Sequence, residues 1–120
     1  MVDRLADLLS QHEQQAVYSL LDQLRERYPE RFLQATLFGS KARGDSRSWS
    51  DIDVLIIVDD DDWRFQHAIS TLAARVSLEF DVVIGPRVIS RERWERLKAN
   101  RFSLYRNVAA EGIPLTPDLA

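Results

Sequence analysis

The sequence predicts an α/β domain of the α+β kind: a small mixed β-sheet flanked by helices. Three observations predict it. Leu5, Leu8, Leu9, Val17, Leu20, Leu21 and Leu24 recur at three- and four-residue steps, the period of a helix buried along one side. "DIDVLIIV" is a continuous apolar run opened by two aspartates, the pattern of an interior strand covered on both faces. A second helical stripe, Phe65, Ile69, Leu72, Ala73 and Val76, follows that run directly, so strands and helices interleave.

Taken in order, a helix is expected from Val2 to about Tyr28, with Pro29 just beyond its end. "RFLQATLFG" reads as a strand ending at Gly39, and "SKAR" as one helical turn closed by Gly44. "DIDVLIIV" is the next strand. "DDDD", Asp59 to Asp62, is a solvated turn whose last acids favour the start of a helix from about Trp63 to Val76. "LEFDVVIG" reads as a third strand ending at Gly85-Pro86. Ser90 is placed to cap a last helix carrying Trp94, Leu97, Phe102, Tyr105 and Val108. Residues 112–120, with Gly112, Pro114 and Pro117, read as a flexible tail that Ile113 and Leu115 anchor in part.

The chain of 120 residues suits one domain, 1–120, with one modest core. It is 45% hydrophobic and 29% charged, a globular balance. A net charge of -3 gives no basic field, so nucleic acid is not the expected partner. Without cysteine there is no thiolate chemistry and no disulfide framework. No run reaches transmembrane length and "MVDRLADLLS" lacks an export segment, so no membrane is expected and the cytoplasm is the expected compartment. His12 and His67 sit on helices far from any Cys/His cluster, which argues against zinc. The arginines of "SRERWERLKANR" alternate with Glu92 and Glu95 and read as a solvated helix face.

The chemistry concentrates in "LFGSKARGDSRSWSDIDVLIIV". Side chains alternate along a strand, so Asp51 and Asp53 share a face, with Cα atoms roughly 6 to 7 Å apart. Like charges that close need a cation between them, and magnesium takes carboxylate oxygens while leaving sites for phosphate and water. Asp81, inside the apolar "EFDVVI", is the preferred third carboxylate. Glu79, two residues earlier on the same face, is the substitute, and a salt bridge to a helix arginine is the structural alternative for Asp81. Gly39 allows a tight bend and a close backbone approach. Amides at a helical start, the Ser40 hydroxyl and the planar Arg43 guanidinium suit phosphate. Lys41 reads as a surface charge that could steer a nucleotide. Arg47 is a lesser phosphate candidate, and Trp49 stacks on a base or anchors the loop. This is neither the phosphate-binding loop of the common ATPases nor a dinucleotide fingerprint. A phosphate cradle ten residues before a metal pair suits phosphoryl or nucleotidyl transfer.

The combination of Gly39-Ser40, ten residues and Asp51-Ile52-Asp53 resembles the signature of the polymerase-beta-like nucleotidyltransferase superfamily. Ala42-Arg43-Gly44, Ser50-Asp51 and the ending "YRNVAAEGIPL" resemble its small prokaryotic branch, the minimal nucleotidyltransferases, many of them antitoxin partners of all-helical HEPN toxins. The resemblance implies that Gly39 and Ser40 hold the terminal phosphates of ATP. It implies that Asp51 and Asp53 bind two Mg2+ ions, and that Asp81 touches the catalytic metal and activates the acceptor hydroxyl. The implied reaction moves AMP from ATP to a tyrosine of a cognate toxin. A non-catalytic antitoxin or scaffold acting by binding alone is the alternative, and the sequence leaves a homo-oligomer open.

Overall fold

The computed structural model describes residues 4–45, 47, 49–60 and 62–116. The N-terminal helical stretch is two helices, α1 (Arg4–Leu8) and α2 (Gln11–Arg27). The break is a capping box in Ser10-Gln11-His12-Glu13. The Glu13 amide donates to Ser10 Oγ at 3.1 Å, and the Ser10 amide donates to Glu13 Oε1 at 2.8 Å. Each side chain thus occupies a donor that the helix start leaves free.

β1 (Phe32–Phe38) leads into the single turn α3 (Gly39–Arg43), which Gly44 ends in the left-handed region at φ 79°. β2 (Ile52–Val58) follows, then α4 (Trp63–Phe80), capped by Asp62, whose Oδ1 accepts from the Arg64 amide at 2.9 Å. β3 (Ile84–Ser90) leads to α5 (Arg91–Ala99), and Ser90 Oγ accepts from the Arg93 amide as expected of its cap. α6 (Ser103–Glu111) and β4 (Ile113–Pro114) complete the described chain.

The sheet order is β3-β2-β1-β4. β2 runs antiparallel to β1 and parallel to β3, with α4 as the crossover, and β4 runs antiparallel to β1. Val54, Ile56 and Val58 of β2 join the larger core beneath α2 and α4. Leu55 and Ile57 join a smaller cluster with Ile89, Val108, Trp94 and Leu97 under α5 and α6. Both faces of β2 are therefore covered, and its unbroken apolar run follows from that.

Three expectations give way. The third strand does not begin at Leu78. α4 continues through Val76 to Phe80, because the stripe of Leu72, Ala73, Val76 and Phe80 still faces the core, while Leu78 is 85% exposed. The strand starts three residues after Asp81 and contains Gly85 and Pro86, where the sequence pattern places its end. Proline is tolerated there because β3 is an edge strand, where an absent N–H costs no ladder bond. The last helix is two, broken at Asn100–Phe102 with Arg101 at φ 51°. Part of the expected tail is structural. Ile113 pairs with Leu37, the Leu115 amide donates to the Ala35 carbonyl at 2.9 Å, and the Ala35 amide donates to Thr116 Oγ1 at 3.2 Å. Residues 117–120, including Pro117, lie outside the described residues.

Candidate active site

The sheet register fixes the two aspartates. Asp53 lies second in β2, opposite Phe38 on β1 and Gly85 on β3. Its side chain shares the face of Leu55 and Ile57, so it stands at the open end of the smaller cluster. Asp51 precedes the strand and is exposed. Both carboxylates face Gly85. A Cβ built there would come 3.4 Å from Asp53 Oδ1 and 3.9 Å from Asp51 Oδ2. The expected convergence of Asp51 and Asp53 is present, with a glycine as the floor between them.

Gly39 closes the other side. Its φ of 78° is one that side-chain-bearing residues rarely adopt, and a Cβ there would collide with the Asp53 carboxylate. The backbone at the start of α3 is thereby pressed against Asp53. No side chain caps α3, whose N-cap residue is Phe38. Ser40 is half-buried in that same first turn.

The Asp53 carboxyl is pushed above its ordinary value, first by burial and then by the Asp51 charge. Arg87 and Arg43 pull the other way. Arg43 is exposed and ion-paired with Asp45 and Glu111, both at 3.1 Å, so it ties α3 to α6 beside the aspartates. Its hydrogen bond to Asp45 is the main cause that raises its pKa further, with smaller help from Glu111 against some desolvation.

The structure does not bring Asp81 to this point. Asp81 is the C-cap of α4 at φ 55°, and it is exposed. It lines a cleft of about 590 Å3 with Ser10, His12, Glu13, Trp49 and Ser50. Glu79, its substitute, is exposed on α4. Among the described residues no three His, Cys, Asp or Glu side chains converge at metal-binding spacing. The strand placement that recommended Asp81 fails because a left-handed residue ends a helix there, and β3 presents Gly85, not a carboxylate, to Asp53.

Two further residues depart from their sequence reading. Lys41 is no surface charge: it is 3% exposed, pairs with Glu13 Oε2 at 2.7 Å and donates to the Arg47 carbonyl at 3.2 Å. Of the two roles read for Trp49, only the loop anchor is set aside: the residue is 73% exposed, with the Arg47 guanidinium 5.6 Å from its ring centroid. Sequence reasoning passed over Arg87. It sits two residues beyond Gly85 on the same face of β3, opposite Leu55, and its charge reaches Asp53. The available signal was a lone cation inside the apolar "VVIGPRVIS".

No helix among the described residues is long and apolar enough to cross a membrane.

Residues 17–112 match the model of the nucleotidyltransferase domain family. The chain is 39% identical over 101 residues to MJ0604 of Methanocaldococcus jannaschii, named as a candidate protein adenylyltransferase, covering 84% of this chain and 95% of that protein. A second protein of the same organism, MJ0141, carries the same name and is 41% identical over 56 residues, 46% of this chain and 57% of that protein. Among solved structures, a toxin–antitoxin complex with AMP-PNP superposes at TM-score 0.58 with 23% identity, over 88% of this chain and 73% of that one. A mutant of the toxin–antitoxin MntA-HpeT superposes at TM-score 0.57 with 22% identity, over 86% and 73%. The family match over residues 17–112 shows that the chain belongs to the nucleotidyltransferase domain family, and its fold is similar to that of the solved toxin–antitoxin structures.

Proposed function

We propose that this nucleotidyltransferase moves AMP from ATP to a hydroxyl, a tyrosine, of a cognate all-helical HEPN-type toxin and so acts as its antitoxin. The observation that carries the proposal is the contact geometry of Asp53. Gly39 at the head of α3 presses on it from one side, and Gly85 lets Asp51 share its space on the other. A phosphate chain lying on the α3 amides and Ser40 would end within reach of both carboxylates. The names of the M. jannaschii relatives supply protein as acceptor and adenylyl as donor group. The toxin–antitoxin complexes of the same fold, one with AMP-PNP, supply the kind of partner.

The donor set fits magnesium. Asp51 and Asp53 offer hard oxygens, and the burial and charge crowding that raise the Asp53 pKa are relieved by a cation. Two carboxylates suffice where substrate phosphates and water complete an octahedron. Bound there, Mg2+ would supply charge neutralisation along the triphosphate. In the transfer the acceptor oxygen bonds the α-phosphorus, its bond to the bridging oxygen breaks, pyrophosphate leaves and the hydroxyl proton passes to solvent. The chain's own part is placement. Gly39 and Ser40 hold the phosphates, Arg43 and Arg87 balance charge on either side of Asp53, and Asp51 and Asp53 fix the reacting end. Asp81, away from this point, is assigned the α4 cap and no proton transfer.

The test is incubation with α-labelled ATP, magnesium and the products of the genes adjacent to this one. Label should appear on the partner's tyrosine and vanish with Asp53→Asn. A partner that stays unlabelled across nucleotides and metals, yet is neutralised by Asp51→Asn and Asp53→Asn variants, would overturn transfer in favour of neutralisation by binding alone.

A further inference from the structure

Lys41 lies between the two halves of the site. It follows Gly39-Ser40 in α3, and its ammonium reaches away from solvent, 2.7 Å from Glu13 Oε2 and 3.2 Å from the Arg47 carbonyl. Its side chain is 4% exposed and that of Glu13 12%. Each partner is itself fixed. Glu13 uses its other oxygen in the capping box, accepting from the Ser10 amide. The Arg47 carbonyl also accepts from the Ser50 amide at 3.0 Å, and the Arg47 amide donates to Ser50 Oγ at 3.0 Å. Ser50 immediately precedes Asp51. A chain of short polar contacts therefore runs from the start of α2, through Lys41, to the turn that delivers Asp51.

Core packing alone does not call for this arrangement. A buried ammonium needs a counter-charge and further acceptors, and an apolar residue of similar length would fill the space without either. The contacts instead hold an irregular turn that has little apolar burial of its own, since Arg47 and Trp49 are exposed. Asp51 belongs to no strand: the Ile52 amide, donating to the Val83 carbonyl at 2.8 Å, ties the peptide after it to the sheet, and the turn must hold the side before it. We propose that Lys41 is a positioning residue. Gripped by Glu13, it holds the Arg47 carbonyl and thereby sets Asp51 against Gly85 and Asp53, coupling the phosphate cradle to the carboxylate pair. This rests on the nucleotidyltransfer reading for its consequence, though not for its structural half.

Two variants separate the parts. Lys41→Met removes the grip on the Arg47 carbonyl. Glu13→Gln keeps an oxygen for the Ser10 amide and turns an amide NH2, a donor without charge, towards Lys41 in place of the charged acceptor, so the grip is lost. Amide hydrogen exchange on the full chain should show the Ser50 amide exchanging at least about tenfold faster in both, with amides in the middle of β2 unchanged. Magnesium-dependent ATP affinity should fall, and kcat for partner labelling should fall per folded molecule with the KM for the partner unchanged. Where Lys41→Met does not fold, Glu13→Gln alone decides. Unchanged Ser50 exchange in a folded variant would overturn the proposal. Faster Ser50 exchange in a chain that shows no magnesium-dependent ATP binding even as wild type would sustain the grip and reject the nucleotidyltransfer reading instead.

Discussion

Gly39 and Asp53 are packed so closely that no side chain fits between them: a Cβ on Gly39 would overlap the Asp53 carboxylate, and its φ of 78° already favours glycine. Gly39→Ala therefore carries two penalties at once. It should cost more than about 1 kcal/mol of stability from the backbone alone. It should also displace Asp53 and abolish transfer. Gly44→Ala is the control, since it shares the backbone penalty at φ 79° but meets only Leu8 at 3.4 Å. Urea unfolding and labelling of the partner, run together, should show both variants destabilised and only Gly39→Ala inactive. Equal activity in the two would remove the close approach from the mechanism.

Asp53 gives a pH signature in the metal-free chain. Burial and Asp51 raise its folded pKa above the unfolded value, so the folded state holds the proton more tightly. Below the ordinary carboxylate value both states are protonated and nothing is lost. As pH rises from there through the folded pKa, the folded state alone keeps the proton, so Asp53 lowers stability progressively, and above that window the penalty is constant. Asp53→Asn should therefore raise the melting temperature of the metal-free chain at neutral pH and not at pH 3. Magnesium should stabilise the wild type and not the variant. A variant less stable than wild type at neutral pH without metal would contradict the charge-crowding account.

Asp81 tests the site from the other side. As a left-handed C-cap at φ 55° it does a job that Asn or Gly does as well. Asp81→Asn should keep transfer within about threefold of wild type, whereas loss of an essential carboxylate typically costs about a hundredfold or more. Asp81→Gly should gain about 0.5 kcal/mol or more by relieving the backbone. A collapse of kcat with an intact fold in Asp81→Asn would restore it to the chemistry.

The contrast between Asp53 and Asp81 shows what the sequence carries. β2 was legible because its signal is local: a buried run, period-2 aspartates and a Gly-Ser turn before them. "LEFDVVIG" was ambiguous, because a short apolar run suits a strand and the end of a buried helix equally. Phe80, four residues after Val76, decided it, and that stripe was readable. Lys41 was not readable. Its counter-charge, Glu13, is 28 residues away, and only the fold, which brings the first turn of α2 to Lys41, shows that the pair is buried. Ile113 and Leu115 were visible as anchors, but two residues of β4 carry too little pattern to announce a strand.

That strand should matter to stability. Ile113 is 8% exposed, belongs to the larger core and pairs with Leu37. Ile113→Ala should cost about 2 to 4 kcal/mol, in the range for a buried aliphatic cut to a methyl. Equilibrium denaturation measures it. A loss below about 0.5 kcal/mol, the usual effect of a surface change, would return this segment to the status of a tail.

Arg87 is the residue whose role the register reveals. Gly85 beside it is opposite Asp53, so Arg87 projects from the same face one step further along the edge strand. It makes no ion pair among those found for the described residues, whereas Arg43 is held by Asp45 and Glu111. An exposed guanidinium whose charge tempers Asp53 without an ion pair among the described residues keeps its planar donors for a polyanion, and those donors suit phosphate. Arg87→Gln should weaken magnesium-dependent ATP binding about tenfold, the scale of one charge-assisted contact. Arg43→Gln should weaken it less and loosen α6 as well, because it also breaks the tie to Glu111. Titration calorimetry with ATP in magnesium compares the two directly, and raised salt should shrink the Arg87 effect. If Arg87→Gln binds ATP as tightly as wild type, its charge serves only to temper Asp53. The Asp53 pKa, followed by carboxyl NMR, should then rise in the variant while nucleotide affinity stays fixed.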